Sequence, residues 1–522
     1  MTQPDVTVVV AVYNTMPDLT TCLTSLVEQT IGLDRLEVVA VDDGSTDGGG
    51  AELDRFAEAY PGTVKVLHQA NSGGPAAPSN RALDHATGRY VFFIGADDHL
   101  GPEALQRMVD AADRWGSDVL LGRTVGVNKR YIHQEIFDQT CPEVDLFTSA
   151  LPFSLSNTKL FRRELVEKYG LRFPEDMPVG SDQPFTLEAC LRAGRISVLA
   201  DYDYYYAVKR LNAGNITYRS DHLARLDCVE RIVHFAAEQI EPGDRRDAVL
   251  RRHFAWEIAK LLRADFLKLG RDSQERVRNG VGKLARQYLT DQIRDQLDVT
   301  SRIRIGTAAH GSLGDLLAVI RQDVDDGLPP MVLQGDRWFA VYPGFGDPRS
   351  GLSDEWFELT NPSARWLARL DTVSVRMTVD ADGERVLAVT ARSPRPDLSE
   401  LVGGVLAVRA GGAEATVRPL GQDPMGTTVH ATFRVRDLLA ELAPEGGHRV
   451  VRAWAAGATG DGTPLRGPRP PVVQRVLHRD GGQLHLITAT TNHKGQLVFA
   501  ASPVTLRRMM ARLRRRLPLG GK

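Results

Sequence analysis

The sequence is poor in cysteine, in long apolar runs and in any excess of one charge. Its four cysteines (Cys22, Cys141, Cys190 and Cys228) are scattered, with no CxxC pair and no histidine–cysteine cluster. Neither a disulfide framework nor a zinc site is expected; reduced thiols in a cytoplasmic protein are. The apolar run Val6 to Val12 is too short for a signal sequence or a membrane span, and no basic stretch precedes it. A net charge of −2 argues against a general nucleic-acid binder, which is usually basic. Two phosphate-binding signatures are also missing. The turn after the first apolar run, Val12-Tyr13-Asn14-Thr15-Met16, contains no glycine, so a G-x-G-x-x-G dinucleotide turn is excluded, and there is no Walker A motif. If this chain binds a nucleotide diphosphate, carboxylates and a cation must hold it.

What is present begins with alternation. Val6 to Val12 and Leu36 to Val41 read as strands buried on both faces, as does Tyr90 to Ile94, and Thr63 to Leu67 and Asp118 to Leu121 read as further strands. Amphipathic helical stretches lie between them, one with Leu19, Leu23, Leu26 and Val27 on a face, another with Leu105, Met108, Val109 and Ala112. This pattern implies a doubly wound α/β sheet, which binds ligands at the carboxyl ends of its strands. Tyr13, Asp43, Asn71 and the pair Asp97-Asp98 all fall in post-strand turns and could line one cleft. Two adjacent carboxylates repel unless solvated, hydrogen-bonded or bound to a cation. Oxygen ligands of this kind suit Mg²⁺ or Mn²⁺ bridging to a diphosphate.

Three segments in order, Val-Thr-Val-Val-Val-Ala-Val-Tyr-Asn, Val-Asp-Asp-Gly-Ser-Thr-Asp and Gly-Ala-Asp-Asp-His-Leu, resemble the family 2 glycosyltransferases of the GT-A fold over roughly residues 5–220. The resemblance implies that Asp43 accepts the uracil N–H of a UDP-sugar, with Tyr13 near the base and Ala11, Asn71 and Asp97 also at the nucleotide sugar. It further implies that Asp98 and Asp97 hold the metal, and that Lys209 or Arg210 closes over the diphosphate. Where such enzymes carry the first Asp of an Asp-x-Asp motif, this chain has Gly95. The loop Asn71 to Asn80, with its Gly-Gly-Pro and Pro-x-Asn elements, resembles the branch that glycosylates wall teichoic acid, although Ser79 stands where that branch usually has Arg. Ser79 and Asn80 read as helix caps.

Ser156 to Arg163 resembles the family's Lys-Leu-Phe-Arg segment and leads to Asp182, which sits where the family keeps its Glu-Asp base; the Glu is Ser181 here. Displacement at an anomeric carbon in one step needs a single base to take the acceptor proton, so one carboxylate suffices for an inverting transfer. As a bland alternative, Asp182 caps a helix beginning near Pro184. Residues 223–330 read as a helical linker and residues 331–502, with hairpin signals at Asp382-Gly383 and Gly411-Gly412, as a β-sandwich of one or two immunoglobulin-like units. Trp356 to Leu359 reads as one of its strands. In wall-teichoic-acid glycosyltransferases such modules assemble trimers, so a homotrimer and an anionic wall-polymer acceptor are expected. Residues 503–522 form a basic amphipathic tail, for which a solvated end and peripheral contact with an anionic membrane are both open. Against the enzyme stands a scaffold with a decayed site, in which Gly95, Ser79 and Ser181 record the decay. Asp43, Asp98 and Asp182 together favour the enzyme.

Overall fold

The protein is described here from a computed structural model. It covers residues 3–210, 221–327, 329–335, 337–359, 368–393, 406–423, 426–442, 446–455, 462–468, 470–471, 473–480 and 482–505. The expected tail helix, Val504 to Leu517, lies outside the described residues but for its first two positions. The chain divides into two compact units, Met1–Ile320 and Arg321–Lys522.

The first unit is built on a sheet of seven strands. In chain order its early elements are β1 (Val6–Val12), α1 (Asp18–Val27), β2 (Leu36–Asp42), α2 (Gly49–Ala59), β3 (Val64–His68), α3 (Ala76–Leu83) and β4 (Tyr90–Gly95). There follow β5 (His99–Leu100), α4 (Ala104–Trp115), β6 (Val119–Gly122), β7 (Thr124–Val127), β8 (Leu160–Arg162), α5 (Arg163–Lys168), α6 (Asp182–Arg192), β9 (Ile196–Leu199) and β10 (Tyr205–Val208). The strand order is β3-β2-β1-β4-β8-β6-β9. Parallel pairing joins the first four, whereas β8 runs antiparallel to both β4 and β6. Strands β5, β10 and β7 make a small second sheet.

The valine-rich β1 alternates its side chains between two cores. Val8, Val10 and Val12 pack with Leu19, Leu23 and Leu105 on one face. Val9 packs on the other with Val39, Phe93 and Phe185 and with side chains from 226 to 320. That second core is why the helical region is continuous with the sheet. Its principal helices are α7 (His222–Gln239), α8 (Asp244–His253), α9 (Arg271–Tyr288), α10 (Asp291–Gln296), α11 (Val299–His310) and α12 (Leu313–Arg321). No described helix is long and apolar enough to cross a membrane.

The second unit is antiparallel. One four-stranded sheet includes Asp371–Val379 and Arg385–Ser393; a larger one includes Leu406–Ala410, Gly447–Ala455 and Gln483–Thr491. Leu387 and Val389 of the first share a buried core with Val408, Val451 and Phe499 of the second, as sandwiched sheets do. The fold class read from the sequence, an α/β sheet followed by a helical region and β-sandwich sheets, is the one observed.

Two local expectations fail. Trp356 to Leu359 is not a strand: Asp354–Phe357 winds as a 3₁₀ turn and only Glu358 bridges to Phe339. Acidic residues at Asp354 and Glu355 suit a helical first turn, which overrides the aromatic pair. Ser79 and Asn80 are not caps but buried in the body of α3, which starts at Ala76 behind Pro75. Proline is pre-set for a helix start, so Pro75 moves the boundary earlier than the polar pair suggested.

Candidate active site

The parallel register places the three post-strand turns side by side. Val12 pairs with Asp42, Ala11 with both Val41 and Gly95, and Asp42 with His68. Tyr13, Asp43, Asn71 and Asp97 therefore leave the sheet at neighbouring positions on one edge. Tyr13 is 48% exposed and Ala11 half-buried. Asp43, only 2% exposed, accepts from Gln69 Nε2 at 2.7 Å and from the Ser72 hydroxyl at 3.0 Å and backbone N–H at 3.0 Å. The Asn71 amide donates to the Asp43 carbonyl at 3.1 Å. Such close approach requires Gly44, whose φ is +77° and whose place a Cβ could take only 2.9 Å from the Asn71 nitrogen.

Arg210, just past β10, returns to this edge. Its Nη2 donates to the Asn14 carbonyl at 3.0 Å, and its Nε lies 3.6 Å from Asp18 at the start of α1. The positive end of the small sheet is thus laid against the turn that carries Tyr13.

Asp97 and Asp98 part company. Asp98 is 4% exposed, and both its oxygens accept from the protein: Oδ2 from the Tyr205 hydroxyl at 2.6 Å, Oδ1 from the Val208 N–H at 2.6 Å and from Arg130 at 3.2 Å. Asp97 is half-buried, within electrostatic reach of Arg130, Arg210 and Asp18. Burial raises the proton affinity of both carboxyls, and Arg130 opposes it. Gly95 is where the pair leaves the strand, and a Cβ there would meet Asp98 Oδ2 at 2.8 Å and Asp97 Oδ1 at 3.2 Å. The Asp98 end is pinned by Tyr205 and Val208 and cannot simply swing away. Gly95→Ala is therefore expected to cost about 1–3 kcal/mol of stability by overpacking. Equal denaturation midpoints for variant and wild type would show that the carboxylates move freely.

Asp182 is the first residue of α6, with Ser181 before it and no side-chain cap bond, so it does not cap the helix. The loop ahead of it packs on the loop that follows β3. A Cβ on Gly74, in the loop whose Ser72 holds Asp43, would touch Pro178 Cα at 3.4 Å, four residues before Asp182. Asn80 fixes the approach to that loop, donating to the Phe173 carbonyl at 2.9 Å and accepting from its N–H at 2.9 Å. Asp182 is itself half-buried, and the charges that act on it are those of Arg252, Lys159 and Glu257. Burial raises its proton affinity, Arg252 and Lys159 lower it, and Glu257 raises it again. Lys159 is 1% exposed; its Nζ donates to the Ser156 carbonyl at 2.6 Å, and burial pushes it down to about 8.

Comparison with known proteins identifies the architecture. Residues 7–170 match the model of glycosyl transferase family 2, and residues 226–320 match the glycosyl transferase TarS linker domain. The chain carries a family 2 glycosyltransferase domain joined to a TarS linker. It is 36% identical over 259 residues to a poly(ribitol-phosphate) beta-glucosyltransferase of Bacillus spizizenii, covering 49% of this chain and 41% of that protein. It is 41% identical over 203 residues to the poly(ribitol-phosphate) beta-N-acetylglucosaminyltransferase TarS of Staphylococcus aureus, covering 39% of this chain and 35% of that one. The chain thus spans about two fifths of the length of these relatives. A crystal structure of S. aureus TarS 1–349 in complex with UDP-GlcNAc superposes with a TM-score of 0.56 at 29% identity, over 65% of this chain and 97% of that one. The longer TarS crystal structure shares the fold over 97% of this chain, with a TM-score of 0.57 at 21% identity.

Several residues around the site escaped sequence reading. Tyr205, one of a tyrosine cluster with no assigned role, bonds Asp98 and also accepts from the Gly95 N–H at 3.0 Å. Arg130 has no motif around it. Lys159 lies in the Lys-Leu-Phe-Arg segment between polar Thr158 and apolar Leu160, and nothing local marks it as buried. Arg252 and Glu257 come from the linker, and no motif marks either of them.

Proposed function

We propose that the chain transfers a sugar, N-acetylglucosamine or a related hexose, from a UDP-sugar to a hydroxyl of a polyol-phosphate wall polymer, with inversion at the anomeric carbon. One observation carries this reading. The turns bearing Tyr13, Asp43 and Asp97 share one sheet edge, Arg210 returns to it, and the loop before Asp182 packs on the loop that holds Asp43. The relatives' names supply the donor and acceptor classes, poly(ribitol-phosphate) with glucose or N-acetylglucosamine.

In this reading the turns after β1 and β2 bind the uridine, Tyr13 offering an exposed ring and Asp43 a carboxylate already aligned by Gln69 and Ser72. Arg210 supplies a guanidinium fork for the diphosphate. Asp182 takes the proton of the attacking hydroxyl. A divalent cation fits the donor set, because Mg²⁺ and Mn²⁺ are commonly held by one or two carboxylates together with substrate phosphates. Asp97 is the residue that would hold it; Asp98 is already committed to Tyr205, Val208 and Arg130. When bound, the cation would neutralise charge developing on the departing UDP.

The test is UDP release from UDP-GlcNAc and UDP-glucose, with and without a synthetic ribitol-phosphate oligomer, in Mn²⁺ or in chelator. Acceptor-stimulated release that chelator suppresses is expected. No release from either donor under any of these conditions would overturn the reading. The β unit carries none of the candidate site residues and is read as the module that assembles a homotrimer. Sedimentation of the full chain is expected to give three times the monomer mass, and a monomer would remove that assignment.

A further inference from the structure

The helix that carries Arg252 does not end where α8 ends. Residues Phe254–Ile258 continue it as a π turn, with i→i+5 hydrogen bonding. Five residues along an α-helix turn a side chain about 140° from its starting face, so Arg252 and Glu257 would look in different directions. The wider winding stacks them on one face. Glu257 accordingly lies 3.0 Å from Arg252 Nη1 and 3.5 Å from His253 Nδ1. Single π turns inside helices are frequent at functional sites.

The pair is deeply placed. The side chains of Arg252 and His253 are 8% and 1% exposed, and that of Glu257 is 13% exposed. Burying a guanidinium and a carboxylate together gains little stability, because desolvation offsets their attraction. Stability alone therefore gives no reason for the arrangement. Its geometry does give one. Arg252 Nη1 donates to Gln183 Oε1 at 2.6 Å, and Gln183 is the neighbour of Asp182 in the first turn of α6. The guanidinium carbon lies over the Trp256 ring, 5.4 Å from its centroid.

We propose that Arg252 is a positioning residue for Asp182, through which the linker, by way of the Arg252–Glu257 pair and Gln183, fixes the start of α6. This rests on the reading of Asp182 as the base. The charged groups facing Asp182 are Arg252 and Glu257 from the linker and Lys159 ahead of β8. Burial lowers the proton affinity of His253, and Lys260 is within electrostatic reach of both Glu257 and Arg252. Arg252 favours the ionised base and Glu257 disfavours it, while Arg252 holds Glu257 itself down to about 2 against its burial. The two members of one pair thus push the base in opposite directions.

The acid limb of kcat/KM against pH reports the base of the free enzyme. With UDP-GlcNAc and a ribitol-phosphate oligomer, Arg252→Gln in the full chain is expected to move that limb to higher pH and lower kcat. Arg252→Lys, which keeps the charge, should return the limb towards wild type without restoring kcat, since the fork to Gln183 is lost. Glu257→Gln should move the limb the other way, to lower pH. UDP affinity should be unchanged in all three. A merely structural pair would lower activity at every pH with no opposed shifts. Should Arg252→Gln fail to fold, Glu257→Gln decides alone. An unmoved limb in the folded variants overturns the proposal if Asp182→Asn has lost transfer. If Asp182→Asn instead keeps near-normal turnover, the reading of the base itself has failed.

Discussion

Asp182→Asn is expected to lower transfer to a ribitol-phosphate oligomer by about 10²–10⁴-fold, the usual cost of losing a general base, while UDP binds as in the wild type. The asparagine keeps the size and the place at the start of α6, so the packing of Phe185 into the core is undisturbed. What it removes is the ability to accept a proton. Because burial raises the proton affinity of Asp182, the ionised base is present only above its displaced titration, and activity should fall on the acid side sooner than for an exposed aspartate. Arg252 and Lys159 limit that displacement. Isothermal titration with UDP separates the two effects. Loss of UDP affinity together with turnover would mean that the residue shapes the donor pocket; near-normal turnover would hand the proton to another group.

The parts of this molecule that could be read from the sequence are those whose signal is local. β1, β2 and β4 announce themselves as short β-branched or aromatic runs, and their burial on both faces fixes a sheet covered by helices. The turns that follow them then fall on one edge by register alone, which is why Tyr13, Asp43 and Asp97 could be placed together in advance. The hydrogen bonding of Asp98 could not. It depends on Tyr205 and Val208, more than a hundred residues later, and on Arg130 in a turn without a motif. Arg252 and Glu257 were illegible for a different reason. Their meeting requires a π turn, and the residues Phe254 to Ile258 look like ordinary amphipathic helix. In α3, by contrast, the polar pair Ser79-Asn80 misled because proline fixed the boundary first.

The two neighbouring aspartates should separate cleanly under substitution. Asp98→Ala leaves the Tyr205 hydroxyl and the Val208 N–H without an acceptor in a buried place. Each orphaned buried donor costs about 1–3 kcal/mol, so a large drop in the denaturation midpoint is expected. Arg130 adds less, since its side chain is 37% exposed and water can replace the lost contact. The same change frees the end of β10, because Val208 is held by Asp98 and Arg210 stands two residues on. Donor affinity should therefore fall with and without Mn²⁺. Asp97→Ala, at the half-buried position, should cost less stability and remove chiefly the Mn²⁺-dependent part of UDP binding. Measuring UDP affinity for each variant in Mn²⁺ and in chelator, beside its unfolding curve, tests both statements. If Asp97→Ala keeps the full Mn²⁺ dependence, or if Asp98→Ala is as stable as wild type and loses only that dependence, the roles are reversed.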